Sequence, residues 1–217
     1  PINPTFKEKE VEYILNDSEC IMLITEQLTK PVIENILGQV PAIKQVIVYS
    51  DTPDEQFIPW QQLETSPITE IIPLHATDVA QIIYTSGTTG NPKGAMITHG
   101  NLNWMAITAA VYNRLEPSDR ILVVLPLFHA YAKLQGFLSP IAHGATIYLE
   151  EKFHPVETAK ALAQHKITVF LGVPTMYAYF LQIPNIAQLD FSNLRIAGCG
   201  GASLPEELLH KTNATFG

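Results

Sequence analysis

The chain has 217 residues. That length fits one large domain or two small ones and hides roughly 70% of its unfolded surface. Apolar residues make up 47% and charged residues 16%, a composition that excludes a disordered chain. Thirteen basic against 21 acidic side chains leave a net charge of −8, which argues against a nucleic-acid binder led by a basic face. A local anion pocket is still compatible with that balance. The two cysteines, Cys20 and Cys199, are far apart, make no metal pattern and fit a reducing compartment, so a cytoplasmic location is expected. The longest apolar run, Ile121 to Phe128, is too short for a membrane span of about 20 residues, and no transmembrane segment is expected. Pro1-Ile2-Asn3-Pro4 has no initiator Met and no signal-peptide pattern, so the sequence reads as one entered midway, an excised fragment.

In chain order, residues 20–25 and 45–49 are short Ile- and Val-rich runs of strand length. Between them, Glu26 to Gln39 has helical spacing, with Gly38 and Pro41 as stop signals. A strand-helix-strand unit of this kind favours a parallel sheet. Residues 51–77 carry Pro53, Pro59, Pro67 and Pro73 and read as a long irregular connection. A strand is predicted over Val79 to Thr85, then a Gly/Thr-rich stretch, a short apolar segment Ala95–Thr98 and a helix over 99–114. Beyond the turn at Glu116–Asp119, strands are predicted at 121–125, 145–149, 167–172 and 195–198. Helices alternate with them in the mid-130s, at 155–165, after Pro174 and from Pro205. The class is α/β with mostly parallel sheets, divided into lobes at 1–114 and 115–217.

The most informative stretch is Tyr84-Thr85-Ser86-Gly87-Thr88-Thr89-Gly90-Asn91-Pro92-Lys93-Gly94, which follows an apolar strand directly. Glycines let backbone N–H groups approach an anion, and the hydroxyls of Thr85, Ser86, Thr88 and Thr89 add donors without charge. Lys93 supplies a compact positive charge suited to phosphate oxygens. The spacing is not that of the Walker A loop. A polyphosphate cradle is one reading and a plain Gly/Thr turn joining two strands is the other.

His129 stands after an apolar strand between Phe128 and Tyr131, where α/β proteins tend to bind ligands. It is either a switchable donor or a hydrogen-bonded structural residue. Gly198-Cys199-Gly200-Gly201-Ala202-Ser203 misses the dinucleotide fingerprint at its last position. It also reads as a tight strand-to-helix turn with Ser203 as the cap. Histidines 75, 99, 143, 154, 165 and 210 form no metal-binding spacing, and no protein metal site is expected.

The eleven-residue string resembles the phosphate-binding signature of the adenylate-forming enzymes, which include acyl-CoA synthetases, adenylation domains and luciferases. Leu125–Tyr131 is similar to that family's LPxFHxY segment, Phe170–Thr175 to its acyl-pocket strand end, and Gly200–Leu204 to the loop beside adenine and acyl group. Pro1–Pro4 is similar to the end of a VPINP strand, so the resemblance spans the chain and is nearest to bacterial long-chain fatty acid–CoA ligases. It implies an incomplete N-terminal domain of that fold, without the mobile C-terminal domain, the magnesium-binding glutamate or the catalytic lysine. The reaction implied is activation of a carboxylic acid by ATP, with Mg2+, to acyl-AMP and then transfer to CoA, and the isolated fragment is expected to be inactive. Thr85, Ser86, Gly87, Thr88, Thr89, Gly90 and Lys93 would bind the phosphates, and Gly200, Gly201 and Ala202 would lie beside the adenine. His129 would be catalytic, near the substrate carboxylate and α-phosphate. Tyr131, Gly172, Val173 and Pro174 would wall the acyl group. Alternatives are an aromatic-acid ligase of the coumarate or ferulate type, and a nucleotide- or phosphate-binding module without turnover.

Overall fold

The computed structural model describes residues 1–51, 56–64, 70–85 and 91–217. It divides into two compact units, Pro1–Gly100 and Asn101–Gly217.

In the first unit the chain runs through α1 (Glu8–Asp17), β1 (Met22–Glu26), α2 (Lys30–Ile36), β2 (Gln45–Tyr49), β3 (Ile58–Pro59), α3 (Trp60–Glu64), β4 (Val79–Thr85) and β5 (Lys93–Thr98). Strands β1, β2 and β3 form a parallel sheet in that order, so the expected strand-helix-strand unit is present. Its helix is shorter than the periodicity of 26–39 predicts. Glu26 ends β1, the Thr29 amide closes a turn onto the Glu26 carbonyl at 3.1 Å, and Pro31 sits in the first turn of α2. A 3-10 turn, Leu37–Gln39, finishes the segment. The stretch expected to be irregular contains β3 and α3. Helix α1 was not anticipated, yet its logic is simple: Val11, Ile14 and Leu15 recur at helical spacing and are buried. Val11 and Leu15 face a core shared with Ile33, Ile36, Val46, Val48 and Phe57.

Strands β4 and β5 form a separate antiparallel pair, in register from Gln81 opposite Ile97 to Thr85 opposite Lys93. Gly94 is required there. A Cβ at that position would stand 2.7 Å from Ile82 Cγ2 and 3.1 Å from Tyr84 Cζ.

Helix α4 (His99–Tyr112) leads into the second unit. There follow β6 (Arg120–Val123), a π-helical segment Ala132–Leu138, α5 (Ser139–His143), β7 (Thr146–Leu149), α6 (Pro155–Gln164), β8 (Val169–Gly172), α7 (Pro174–Phe180), β9 (Ile196–Cys199) and α8 (Glu206–Phe216). Four parallel strands lie in the order β7-β6-β8-β9. Every residue of β8 is buried, which is why it reads as an unbroken apolar run. One face of this sheet carries an aromatic core of Phe170, Tyr177, Phe180, Phe191 and Phe216. Helix α8 begins at Glu206 with Pro205 as its N-cap residue, so Ser203 is not the cap that the sequence predicts. The helix cannot start earlier because Leu204 precedes a proline and is held away from helical geometry.

At the amino edge of the same sheet, Asp119 is buried and accepts hydrogen bonds from the Glu116 amide, the Thr168 hydroxyl at 2.6 Å and Arg195 Nε at 2.9 Å. Arg195 Nη2 makes a second, shorter contact to the same carboxylate. This network joins the residues that precede β6, β8 and β9, fixing where three strands begin. Among the described residues no helix is long and apolar enough to cross a membrane.

Candidate functional site

Two places carry the residues singled out in the sequence, one in each unit. In the first unit, Thr85 ends β4 and Lys93 opens β5, directly opposite in the ladder and both exposed. An antiparallel register brings the last hydroxyl-bearing strand residue and the lysine to the same end of the hairpin. Ser86, Gly87, Thr88, Thr89 and Gly90 lie outside the described residues.

In the second unit, the remaining candidates follow the carboxyl ends of three neighbouring strands, where parallel α/β sheets present ligand sites. His129 and Tyr131 follow β6, Gly172 closes β8 and leads to Val173 and Pro174, and Gly200, Gly201 and Ala202 follow β9. Two of these strand ends are tied directly, because the Gly200 amide donates to the Gly172 carbonyl at 3.1 Å. Gly201 turns the chain with φ +79°, a conformation that favours glycine. Pro174 occupies the first turn of α7 after the extended Val173.

Tyr131 belongs to this group by contact. Its ring lies over Gly200, so closely that a Cβ there would stand 2.8 Å from Tyr131 Cζ. The same hypothetical atom on Gly198 would come within 2.7 Å of Leu171 Cδ2, and on Gly172 within 2.9 Å of Phe170 Cε1. Glycines 172 and 200 therefore admit the protein's own aromatic rings. The space left by their missing side chains is taken up by Phe170, Tyr177 and Tyr131.

His129 is exposed, with its ring 4.4 Å from that of Phe128. Its amide donates to the Pro126 carbonyl and its carbonyl accepts from Lys133, which sets it in the turn that opens the π-helical segment. Seven residues of π-helix immediately after His129–Tyr131 are unusual, and such segments are frequent at functional sites.

Sequence reasoning missed Tyr177. Its hydroxyl donates to the Gly198 carbonyl at 2.7 Å, and its ring packs on Phe170 and against Gly172. The available signal was its position one helical turn beyond Pro174, on the face that meets the sheet. Burial pushes the Tyr131 phenol up to about 12, with Cys199 adding to the shift. Burial also raises the Tyr177 phenol and the Cys199 thiol. All three stay protonated near neutral pH, so this edge offers shape and neutral hydrogen bonds, with neither a thiolate nor a phenolate. Both cysteines are free thiols.

Among the described residues no group of three or more His, Cys, Asp or Glu side chains converges as metal ligands.

A family model for AMP-binding enzymes matches residues 1–217. A feruloyl-CoA synthase from Amycolatopsis sp is 42% identical over 137 residues, covering 63% of this chain and 28% of that protein. A long-chain-fatty-acid–CoA ligase from Bacillus subtilis is 30% identical over 246 aligned positions, covering 99% of this chain and 44% of that protein. The chain therefore spans less than half the length of these curated relatives. The crystal structure of an anthranilate CoA ligase in complex with anthranoyl-AMP superposes with a TM-score of 0.87 at 28% identity, over 99% of this chain and 42% of that one. The inhibitor-bound N-terminal domain of FACL13 from Mycobacterium tuberculosis gives 0.86 at 27% identity, over 99% of this chain and 53% of that one. The α/β architecture with mostly parallel sheets is that of the N-terminal domain of adenylate-forming enzymes, and the chain belongs to the AMP-binding enzyme family.

Proposed function

We propose that this chain supplies the phosphate-binding hairpin and an acyl-binding edge of an ATP-dependent acyl-CoA synthetase. The observation that carries the reading is the hairpin itself. It sets Thr85 opposite Lys93 at the two ends of a Thr/Ser/Gly segment, within a chain that matches the AMP-binding family throughout.

In the proposed reaction a carboxylate oxygen attacks the α-phosphorus of ATP and the bond to the pyrophosphate oxygen breaks, giving acyl-AMP. A CoA thiolate then attacks the acyl carbon and AMP leaves with its bonding electron pair. The chemistry needs negative charge stabilised on the α-phosphate and on departing pyrophosphate, which is a matter of positioned donors. Thr85, Ser86, Gly87, Thr88, Thr89, Gly90 and Lys93 take that task at the pyrophosphate end. His129, exposed and anchored through its own backbone, is the proposed donor toward the substrate carboxylate and α-phosphate. Tyr131, Gly172, Val173 and Pro174 line the acyl group, and Gly200, Gly201 and Ala202 lie beside the adenine. Mg2+ would accompany the ATP phosphates. The proposed setting is the cytoplasm.

For the acid, the first reading is a medium-to-long fatty acid, supported by the likeness to a long-chain-fatty-acid–CoA ligase over nearly the whole chain. The second is an aromatic acid. It is favoured by the higher identity to a feruloyl-CoA synthase and by the aromatic rings of Tyr131, Phe170 and Tyr177 packed against the strand-end glycines. A panel of C8–C16 acids, ferulate, coumarate and benzoate, assayed by acid-dependent ATP–pyrophosphate exchange in the full-length protein, decides between them. Exchange with none of these acids, accompanied by nucleotide binding, would leave a binding module without turnover.

A further inference from the structure

Helix α1 contributes two side chains that the reaction scheme does not use, and both reach the hairpin within the first unit. Tyr13 and Asp17 are four residues apart, on one face of the helix. Asp17 Oδ2 accepts a 2.6 Å hydrogen bond from the Tyr84 hydroxyl, and Tyr84 is the penultimate residue of β4. The Tyr13 hydroxyl donates to the Pro92 carbonyl at 3.0 Å, one residue before β5 begins. The two tyrosine rings meet edge to face, with centroids 6.4 Å apart and planes at 84°. One helix therefore grips the hairpin on both sides of residues 86–90, by separate hydrogen bonds with |i−j| of 67 and 79 in sequence.

We propose that Tyr13 and Asp17 are positioning residues for the nucleotide phosphates, acting through Tyr84 and Pro92 to fix the two stems of the hairpin that carries Thr85 and Lys93. The inference rests on the functional reading given above. A two-stranded antiparallel pair is marginal on its own, and β5 exposes Lys93 through Met96. Something outside the pair must hold its far end, and α1 is anchored for that purpose by Val11, Ile14 and Leu15 in the core of the same unit. Desolvation, followed by the Asp17 contact, pushes the Tyr84 phenol up to about 12, so its proton stays available for donation across the physiological range. A shift of the stems by a fraction of an ångström moves Thr85 and Lys93 relative to ATP, and misplacement of that order is costly in a preorganised site.

The test uses the full-length protein and four variants: Tyr84→Phe, Tyr13→Phe, Asp17→Asn and, as a control on the same helix, Asn16→Ala. Asn16 donates to the Gln39 carbonyl at 3.0 Å, outside the hairpin. KM values for ATP and for the acid are read from pyrophosphate exchange, thermal midpoints from calorimetry, and protection of the β4 and β5 amides from hydrogen exchange. Tyr84→Phe and Tyr13→Phe are expected to raise KM for ATP about 3- to 10-fold each, the loss of one partly exposed hydrogen bond, with KM for the acid unchanged. Asp17→Asn keeps an acceptor oxygen and should have a smaller effect than either. Hydrogen-exchange protection of the hairpin should fall in both tyrosine variants but not in Asn16→Ala. Lower thermal midpoints with an unchanged KM for ATP would reduce the pair to a structural brace and overturn the positioning role. Absence of exchange in the unaltered protein would overturn the functional reading and the role with it. In that event the hydrogen-exchange arm still shows whether α1 holds the hairpin.

Discussion

The hairpin of the first unit and the strand-end edge of the second solve different problems with different materials. The hairpin is a two-stranded antiparallel pair whose β5 is largely exposed, and the residues proposed to act there are a hydroxyl and a cation in water. The edge belongs to a four-stranded parallel sheet with a fully buried central strand, and its groups are neutral phenols, a protonated thiol and glycine backbone. On the proposed reading the first place handles charge and is held by α1, and the second handles shape and is held by its own core. Changes at the hairpin should therefore alter catalysis with little loss of fold, and changes in the sheet should alter fold or acid recognition.

The largest effect is expected in the framework that fixes the strand starts. Asp119→Ala removes the shared acceptor of Arg195, Thr168 and the Glu116 amide, and should cost the second unit about 3 kcal/mol. Burial alone would raise this carboxyl, but the hydrogen bonds from Arg195, Thr168 and the Glu116 amide outweigh it and hold it below its usual value. A depressed carboxylate stabilises the fold fully above its unfolded pKa, and that contribution disappears as pH falls through the lower folded value. Thermal midpoints measured from pH 7 to pH 3 should thus fall more steeply for the parent than for Asp119→Asn. Parallel curves would remove the network from the comparison.

Next in size is Lys93→Ala in the full-length protein. Loss of one charge-assisted phosphate contact corresponds to about 10- to 100-fold in pyrophosphate exchange. Because Lys93 is exposed, the thermal midpoint should not move. An unchanged exchange rate would make Lys93 an ordinary surface residue and break the contrast at its charged end.

How far the sequence carries this picture differs between the two places. β2 is visible residue for residue in 45–49, because its length and its Val and Ile content favour a strand over a buried helix segment. Helix α1 carries a 3.6-residue periodicity in Val11, Ile14 and Leu15, but only three aliphatic positions among charged neighbours make it a weak local signal. The composition of residues 84–94 is compatible with a phosphate cradle and with a plain turn, and the family resemblance of the whole string is what favours the cradle. The hairpin's register, with Lys93 inside β5 instead of in a loop, depends on pairing that no local propensity encodes. At the strand-end edge the glycines are legible as places without side chains. Which ring fills each space is not, since Tyr131 and Gly200 are 69 positions apart and meet only through the sheet.

Gly200 supplies the finest test of the shape side. An added methyl would stand 2.8 Å from Tyr131 Cζ and 3.1 Å from both Cε atoms, so the ring must move. The ring is constrained, since the π-helical segment that follows it packs Gly136 against Val123 of β6. Overpacking of this kind costs about 1–2 kcal/mol, divided between strain in the fold and displacement of the ring. If Tyr131 walls the acyl group and Gly200 lies beside the adenine as proposed, Gly200→Ala should raise KM for the acid several-fold and KM for ATP by less, whereas Tyr84→Phe should raise KM for ATP alone. The direction across an acid panel is also informative. A displaced ring narrows a flat slot for an aromatic acid more than it hinders a flexible chain that can bend around it. A greater loss with ferulate or benzoate than with C8–C16 acids would therefore place the aromatic ring of the substrate against Tyr131. An equal loss of ATP and acid recognition would instead show that position 200 serves the nucleotide as much as the acyl group, and the division between a charge-handling hairpin and a shape-handling edge would fail at that residue.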